Sequence, residues 1–415
     1  MFLNNIISAS IHIQLVGIIE EYHRSFHHEK WNKANGDDLY KEYRMSEHVD
    51  VSKIKDPTIA AARKEVEFQR AMNPCPIDFS EFQSSNPRSQ GEQKEYEGKD
   101  ASNFNRRQKY SDSEEPQFTT PFGSEPGFLP VEKDRYRLVW SKHCPWAHRI
   151  AIAIDLLGLD KVISKGTVDP LRPAGVIADW FFTLDKDEKD PVLGIHSLGE
   201  AYRKGDPNYD ARSTVPAIVD VTTGAVVNND YHALTTELAL GFKDFVSPDA
   251  PDIYPEELRA DIDALNVIIY ADFNLAVNLA ALVTNQKDYE YYYDRIFARL
   301  DWLEERLSKQ RYLMGDTITD PDIRIFPTLA RFDLVFYQKY LVNKKRLVDY
   351  PNLWNYAKDL YSNPAFGGTT DFDSMRKRFY YVDHTPFEDL PRLVPKGPDD
   401  SIWLEPNDRA EKFGK

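Results

Sequence analysis

Residues 135–149, RYRLVWSKHCPWAHR, contain the pattern from which the fold is predicted. The run Tyr136–Trp140 is aromatic and apolar and predicts a short strand that ends at Ser141. Residues 147–157 carry apolar side chains from Ile150 to Leu157 and predict a helix. A strand that passes within a few residues into a helix is the first half of a β-α-β unit.

Cys144 lies between this strand and this helix, and Pro145 occupies the first helical turn, where its missing N–H costs nothing. The sulfur would then face unpaired backbone N–H groups and the positive end of the helix dipole, both of which lower a thiol pKa. Four neighbours add positive charge, namely Lys142, His143, His148 and Arg149. The pattern therefore predicts a nucleophilic thiolate, activated by Pro145, His148 and Arg149. A buried structural cysteine at a strand–helix turn is the alternative.

Ala147 stands where a second cysteine of a C-x-x-C motif would be, so an external thiol must resolve any mixed disulfide on Cys144. The other cysteine, Cys75, lies in a Pro-flanked polar setting and is expected to be inert. Two cysteines cannot build a disulfide framework or a cysteine-rich zinc site, and a reducing cytoplasm is the expected compartment.

Working outward, residues 162–168 predict a second strand, and residues 215–220 and 225–227 predict two more, joined by a hairpin turn. Residues 231–242 predict a closing helix. The order β-α-β-(α)-β-β-α is a thioredoxin-like arrangement, in which a mixed sheet carries helices on both faces. Pro216 begins a central strand, which is unusual unless the Val215–Pro216 peptide is cis or its carbonyl is needed elsewhere. In thioredoxin-like domains a cis-proline lies beside the reactive cysteine, so we expect a cis peptide next to Cys144; a plain edge-strand proline is the alternative.

Beyond residue 248 the strand signals stop and helical patterns follow at 258–283, 289–307, 322–340 and 353–361, with a capping box at Thr319–Asp322. The predicted organisation is an α/β thioredoxin-like domain followed by an all-α domain. Its parts are a partly helical N-terminal extension (1–84, best at 59–72), a linker (85–122), a thiol-binding domain (123–247), the helical domain (248–386) and a surface tail (387–415).

The chain has 415 residues and a net charge of −15, which argues against nucleic acid and anionic membranes as partners. The early apolar segment 6–19 is interrupted by polar residues and is interpreted as an amphipathic helix. No uncharged apolar run approaches the roughly 20 residues of a membrane span. His23 and His27 have the spacing of metal ligands, but Arg24 stands where a metalloprotease needs Glu, so these residues and His28 indicate a solvated face and no metal site.

Several motifs occur in a specific order and spacing: RYRLVWSKHCPWAHR, STVPAIVD with TTGAVVNN, RYLMGDTITDPDIRIFPTLARFD, FYYVDH and LVPKGP. Through them the chain, from about residue 123 to 398, resembles the glutathionyl-hydroquinone reductases, the Xi class of glutathione transferases. The resemblance implies that Cys144 attacks the sulfur of a glutathionyl-hydroquinone, that the hydroquinone leaves, and that a second glutathione resolves the mixed disulfide. It also implies a homodimer.

The resemblance places Trp180 beside glutathione and gives the backbone of Val215 the role of pairing with the bound peptide. The family's Glu-Ser pair that holds the γ-glutamyl end is here Asp230-Tyr231. Asp230 can still accept a hydrogen bond, whereas Tyr231 cannot imitate a small hydroxyl. The substrate-binding tyrosines of the family correspond to Asn278 and Phe336, so the hydroquinone pocket is altered as well.

Three hypotheses follow. The first is a glutathione-dependent thiol transferase or reductase, or the same chemistry with another low-molecular-weight thiol. The second is a non-catalytic binding or stress-response protein of the same fold. The third is conjugation of glutathione to electrophiles by a bound thiolate, a reaction that usually uses Ser or Tyr at the position of Cys144.

Overall fold

A four-stranded mixed sheet forms the core of the first folded region, in the order β2-β1-β3-β4. The computed structural model describes residues 51–72, 117–171, 179–283, 285–381 and 393–414. The strands are β1 Tyr136–Trp140, β2 Ile163–Thr167, β3 Ala217–Asp220 and β4 Ala225–Asn228. β1 pairs parallel with β2 and antiparallel with β3, which pairs antiparallel with β4. The predicted thioredoxin-like order is confirmed.

Predictions for the segment 6–19, for His23, His27 and His28, for Cys75 and for most of the linker lie outside the described residues. So do residues 172–178 of the long excursion between β2 and β3, and part of the FYYVDH motif.

The helices before the all-α region are α1 Pro57–Met72, α2 Pro145–Leu156, α3 Leu198–Gly205 and α4 Leu234–Gly241. All five residues of β1 are buried, because helices cover the sheet. α2 contacts β1 and α4 on one side and helices of the all-α region on the other. This position between two layers explains why the side chains from Ala147 to Ile154 are all buried.

The all-α region contains helices α5 Arg259–Ile269, α6 Ala276–Leu282, α7 Gln286–Leu307, α8 Asp320–Arg331, α9 Tyr337–Lys339, α10 Pro351–Ser362, α11 Pro364–Gly367 and α12 Phe372–Tyr380. Two of the predicted long helices are interrupted by π-helical turns, at Tyr270–Asn274 and Phe332–Phe336. The predicted capping box is present, because the Asp322 carboxylate accepts the Thr319 N–H at 2.8 Å. It also accepts the Tyr356 hydroxyl at 2.6 Å and so anchors the start of α8.

Residues Glu256–Leu282 form a helical stretch that is long and apolar enough, by length and composition, to cross a membrane. However, 67% of the apolar window is buried inside the protein, as in the core helix of a helical bundle.

Helix α1 belongs to the predicted N-terminal extension, and it packs on α5 of the all-α region. Its buried side chains are Ile59, Ala62, Arg63 and Val66. The Asp56 carboxylate lies 2.8 Å from the Arg306 guanidinium, and the backbone N–H groups of Lys55 and Asp56 donate to Asp261 at 2.9 Å. This part of the extension is therefore integrated into the folded protein.

The C-terminal residues 393–414 are mostly exposed or half-buried, and two side chains anchor them to the all-α region. Trp403 is 8% exposed, and its ring centroid lies 4.8 Å from that of Trp354. Arg409, at the start of helix α13 Arg409–Phe413, is fully buried and donates to the carbonyl of Leu307 at 2.7 Å. The segment therefore lies over the surface of the helical region and is held there by an aromatic ring and a buried guanidinium.

Candidate active site

Cys144 precedes the first residue of α2 and has an extended backbone, with Pro145 at the first helical position as predicted. Its N–H donates to the carbonyl of Ser141 at 2.9 Å, which closes the turn after β1. The backbone N–H groups of Trp146 and Ala147 interact with the sulfur. The helix start therefore presents its unpaired donors to the thiol.

The Cys144 Sγ lies 3.6 Å from the carbonyl oxygen of Val215. The Val215–Pro216 peptide is cis, which confirms the prediction made from a proline at the start of a central strand. The backbone of the segment that precedes β3 thus lies directly against the thiol. A peptide that paired with Val215 would run past the sulfur.

Burial raises the pKa of the Cys144 thiol above its usual value, and this effect exceeds the opposing ones. The opposing contributions come from the Ala147 N–H, the charge of Arg331, the Trp146 N–H and the charge of Arg212. The sequence predicts a lowered pKa from the helix start, and the structure differs because the sulfur is also desolvated: Cys144 is only 9% exposed.

His148 and Arg149 have roles other than the predicted one. Burial lowers the pKa of His148 well below its usual range, so the ring is neutral, and its Nε2 lies 3.1 Å from the Thr369 hydroxyl. The guanidinium of Arg149 stacks on the rings of Trp146 and Tyr231, at 5.1 and 5.3 Å. The positive charges that lower the pKa of the Cys144 thiol are instead those of Arg331 and Arg212.

Arg331 is the residue that the sequence-based argument missed. It ends α8 and is fully buried, yet it reaches the loop that carries Cys144. Its Nε donates to the His143 carbonyl at 2.9 Å, and one terminal nitrogen donates to the Lys142 carbonyl at 3.1 Å. The signal in the sequence is an arginine at the end of the largely apolar run IFPTLAR.

Trp180 is 5% exposed and lies beside the same loop, with its ring centroid 5.2 Å from that of His143. The guanidinium of Arg378, from α12, lies 5.4 Å from the Trp180 ring. The structure thus brings Trp180 and the residue before Cys144 together, and it adds a cation from the all-α region.

Asp230 and Tyr231 follow β4. The Asp230 carboxylate accepts the His232 N–H at 3.1 Å, and the Asp230 carbonyl accepts the Leu234 N–H at 2.9 Å, so Asp230 organises the start of α4. The Tyr231 ring packs against Trp146, with centroids 5.5 Å apart. The Tyr231 side chain is thus committed to a ring contact, and its correspondence to the family's small hydroxyl stays a prediction.

Asn278 and Phe336, which the resemblance predicts as altered substrate-pocket positions, make local contacts. The Asn278 side chain is half-buried and donates to the Asn274 carbonyl at 3.0 Å, one helical turn back. Phe336 is 1% exposed and packs against Tyr340, with centroids 5.5 Å apart. The neighbouring Tyr337 lines a cavity of about 460 Å³ together with residues of the C-terminal segment.

No group of three or more His, Cys, Asp or Glu side chains that could hold a metal ion occurs within the described ranges.

The sequence matches two domain families. Residues 143–239 match "Glutathione S-transferase, N-terminal domain", and residues 281–359 match "Glutathione S-transferase, C-terminal domain". The glutathionyl-hydroquinone reductase PcpF of Sphingobium chlorophenolicum is 35% identical over 277 residues, which are 66% of this chain and 86% of the relative.

Solved structures agree. A glutathione transferase from Gordonia bronchialis superposes with a TM-score of 0.68 at 42% identity, covering 72% of this chain and 92% of the other. The Xi glutathione S-transferase of Phanerochaete chrysosporium gives 0.63 at 33% identity, covering 69% and 97%.

A thiol at the start of a helix, opposite a cis-proline and backed by an all-α domain, together with these matches, defines a glutathione transferase. Within that superfamily the chain belongs to the glutathionyl-hydroquinone reductases of the Xi class. It is thus an enzyme of a glutathione-dependent family.

Proposed function

We propose that this protein is a thiol-dependent reductase that removes a thiol from an aromatic adduct of the glutathionyl-hydroquinone kind, with Cys144 as nucleophile. The observation that carries the proposal is the position of the Cys144 sulfur, 3.6 Å from the Val215 carbonyl and at the N-terminus of α2. A thiol adduct whose peptide pairs with Val215 would place its sulfur beside Cys144.

The reaction divides into two thiol steps. The Cys144 thiolate attacks the sulfur of the adduct, the S–C bond to the ring breaks, and its electron pair remains on the ring carbon, which takes up a proton. Hydroquinone leaves and a mixed disulfide remains on Cys144. A second thiolate then attacks the sulfur of the bound thiol, which releases the oxidised disulfide and restores Cys144. Two thiol equivalents are oxidised and one aromatic is reduced.

Trp180, His143 and Arg378 would form the wall beside the adduct. The two rings, tilted by 39° to each other, and the guanidinium would give this wall aromatic and cationic character, which suits an aromatic leaving group. The lack of a second cysteine at Ala147 fits a reaction in which an external thiol completes the cycle.

The proposal is tested with glutathionyl-menadiol, the hydroquinone form of the menadione adduct, and free glutathione under anaerobic conditions, following release of menadiol and the intact mass of the protein. We expect turnover and a trapped 1:1 adduct in the wild type, and neither in Cys144→Ser. The Cys75→Ser variant, which removes the other cysteine, is the matched control and should retain both. Turnover that survives in Cys144→Ser would refute the mechanism.

A second candidate is the same chemistry with a different low-molecular-weight thiol. The contacts of Tyr231 with Trp146 and Arg149 support it, because the sequence analysis assigns Tyr231 to the position where the family holds the γ-glutamyl end. Thiols with and without a γ-glutamyl group, such as glutathione and cysteinylglycine, should be compared as resolving thiols. Faster resolution by cysteinylglycine would favour the second candidate, and faster resolution by glutathione would favour the first.

If an adduct forms on Cys144 but no thiol or aromatic tested gives turnover, the result would favour the hypothesis of a non-catalytic binding protein of the same fold.

A further inference from the structure

Arg331 links the all-α region to the loop that carries Cys144. Besides its bonds to the Lys142 and His143 carbonyls, it donates to the Pro327 carbonyl at 2.6 Å and lies 3.3 Å from Nδ1 of His148. The guanidinium thus contacts both sides of the loop–helix junction. With no exposed surface, it is held in a single arrangement.

The charge of Arg331 is not paired with a carboxylate within 4 Å anywhere in the described ranges. A buried cation without an anion is costly, so such groups are usually paired. The group nearby that can become anionic is the Cys144 thiol, and each of the two raises the stability of the other's charged form. Burial lowers the pKa of Arg331 to about 9, which leaves it charged at neutral pH.

The other groups that face the thiol are weaker counter-charges. His148 is neutral, for the reason given above. His143 is engaged through Nδ1 with the Ser141 hydroxyl at 2.7 Å. Arg212 is half-buried and therefore more screened by water than the fully buried Arg331.

The loop geometry adds a second effect. The carbonyls of residues 142 and 143 come immediately before Cys144, and their oxygens carry partial negative charge. By accepting from Arg331 they are turned to the guanidinium. Without it they would lose their charged donor, and the loop would relax.

We propose that Arg331 is the positioning residue of the reaction: it fixes the two carbonyls before Cys144 and serves as the buried counter-charge of the Cys144 thiolate. This inference rests on the proposed function only in taking Cys144 as the nucleophile. It assigns to the all-α region a part in thiol activation.

The test measures the pH dependence of Cys144 alkylation by iodoacetamide in the Cys75→Ser background, where Cys144 is the remaining thiol. We expect Arg331→Gln to raise the apparent pKa by at least about one pH unit, which slows alkylation at neutral pH about tenfold. Arg331→Lys keeps the charge and should show less than half of that shift, and it serves as the test variant if the glutamine variant does not fold.

Arg409→Gln is the matched control, since Arg409 is also fully buried and donates to main-chain carbonyls of the all-α region. It should lose stability and keep the alkylation profile. An unchanged profile in Arg331→Gln, an equal shift in Arg409→Gln, or an Arg331→Lys shift as large as that of Arg331→Gln would overturn the proposal. The readout needs no quinone substrate, so a failed reductase assay would not affect it.

Discussion

The indole of Trp146 and the phenol ring of Tyr231 lie 5.5 Å apart, and each also contacts the guanidinium of Arg149. Trp146 is two residues after Cys144, whereas Tyr231 is predicted to stand at the family's γ-glutamyl position. Burial lowers the pKa of Arg149 to about 10, and Nε and Nη2 of Arg149 have no hydrogen-bond partner among the described residues. The guanidinium therefore interacts with the faces of these two rings.

Replacing Tyr231 by Ser should open the γ-glutamyl position. A restored small hydroxyl can donate one hydrogen bond of about 1 kcal/mol, so we expect KM for glutathione to fall about fivefold. The measurement is steady-state kinetics with glutathione as the varied thiol. Tyr231→Phe keeps the ring and is the control, so an equal fall in both variants would contradict the explanation.

Replacing Phe336 by Tyr should lower stability. Phe336 is 1% exposed, and a hydroxyl placed there without a partner costs about 1–3 kcal/mol. Urea denaturation of the variant and the wild type measures the difference. Asn278→Tyr, at a half-buried position, is the comparison and should cost less. A Phe336→Tyr variant as stable as the wild type would mean that the hydroxyl finds a partner or water.

Glu237 makes stability depend on pH. Burial and then the charge of Asp230 raise the pKa of Glu237 well above its usual range, while the Asn228 amide donates to it at 2.9 Å. A raised carboxyl pKa contributes stability that is complete below the unfolded value, about 4.3, and is lost as pH rises through the folded value. Each unit of difference is worth about 1.4 kcal/mol.

Glu237→Gln resembles the protonated acid, so it should be more stable than the wild type in alkaline solution and no more stable near pH 4. Urea denaturation across this range is the measurement. Glu305→Gln is the contrasting control, because a hydrogen bond from Lys309 lowers the pKa of the exposed Glu305. Its replacement should not stabilise at high pH, and parallel curves for Glu237→Gln and the wild type would refute the assignment.

Helix α1 should contribute to stability through one face. Val66 is fully buried against the all-α region, whereas Phe68 on the same helix is 54% exposed. Val66→Ala removes two buried carbon groups and should cost about 1–3 kcal/mol in urea denaturation. Phe68→Ala should cost nothing measurable. Equal effects of the two substitutions would show that α1 is not held as described.

Most of the fold could be predicted from local sequence patterns. The strand before Cys144, the hairpin at residues 221–224, the capping box at Thr319 and the cis Val215–Pro216 peptide all depend on residues close in sequence, and each is present. Helix ends and the two π-helical turns were not predictable, because tertiary packing decides where a helix departs from regular geometry.

The charges around Cys144 could not be assigned from sequence for a different reason. His148 and Arg149 are close to Cys144 along the chain, but burial makes one neutral and ring stacking occupies the other. Arg331 lies 188 residues from His143, and no local pattern joins them. The roles of the site residues, the domain boundaries, the homodimer and the cytoplasmic location stay predictions.

The hydrogen bonds from Arg331 to the loop before Cys144 matter for truncated forms of the protein. A fragment that ends after α4 would contain Cys144, Val215, Trp180 and the whole sheet, and by sequence it would look like a self-sufficient small thiol enzyme. It would lack the guanidinium, and the carbonyls at 142 and 143 would face water. Arg331, one of the two cations that lower the pKa of Cys144, is thus encoded in the all-α region, and we expect the isolated first region to hold a less reactive thiol.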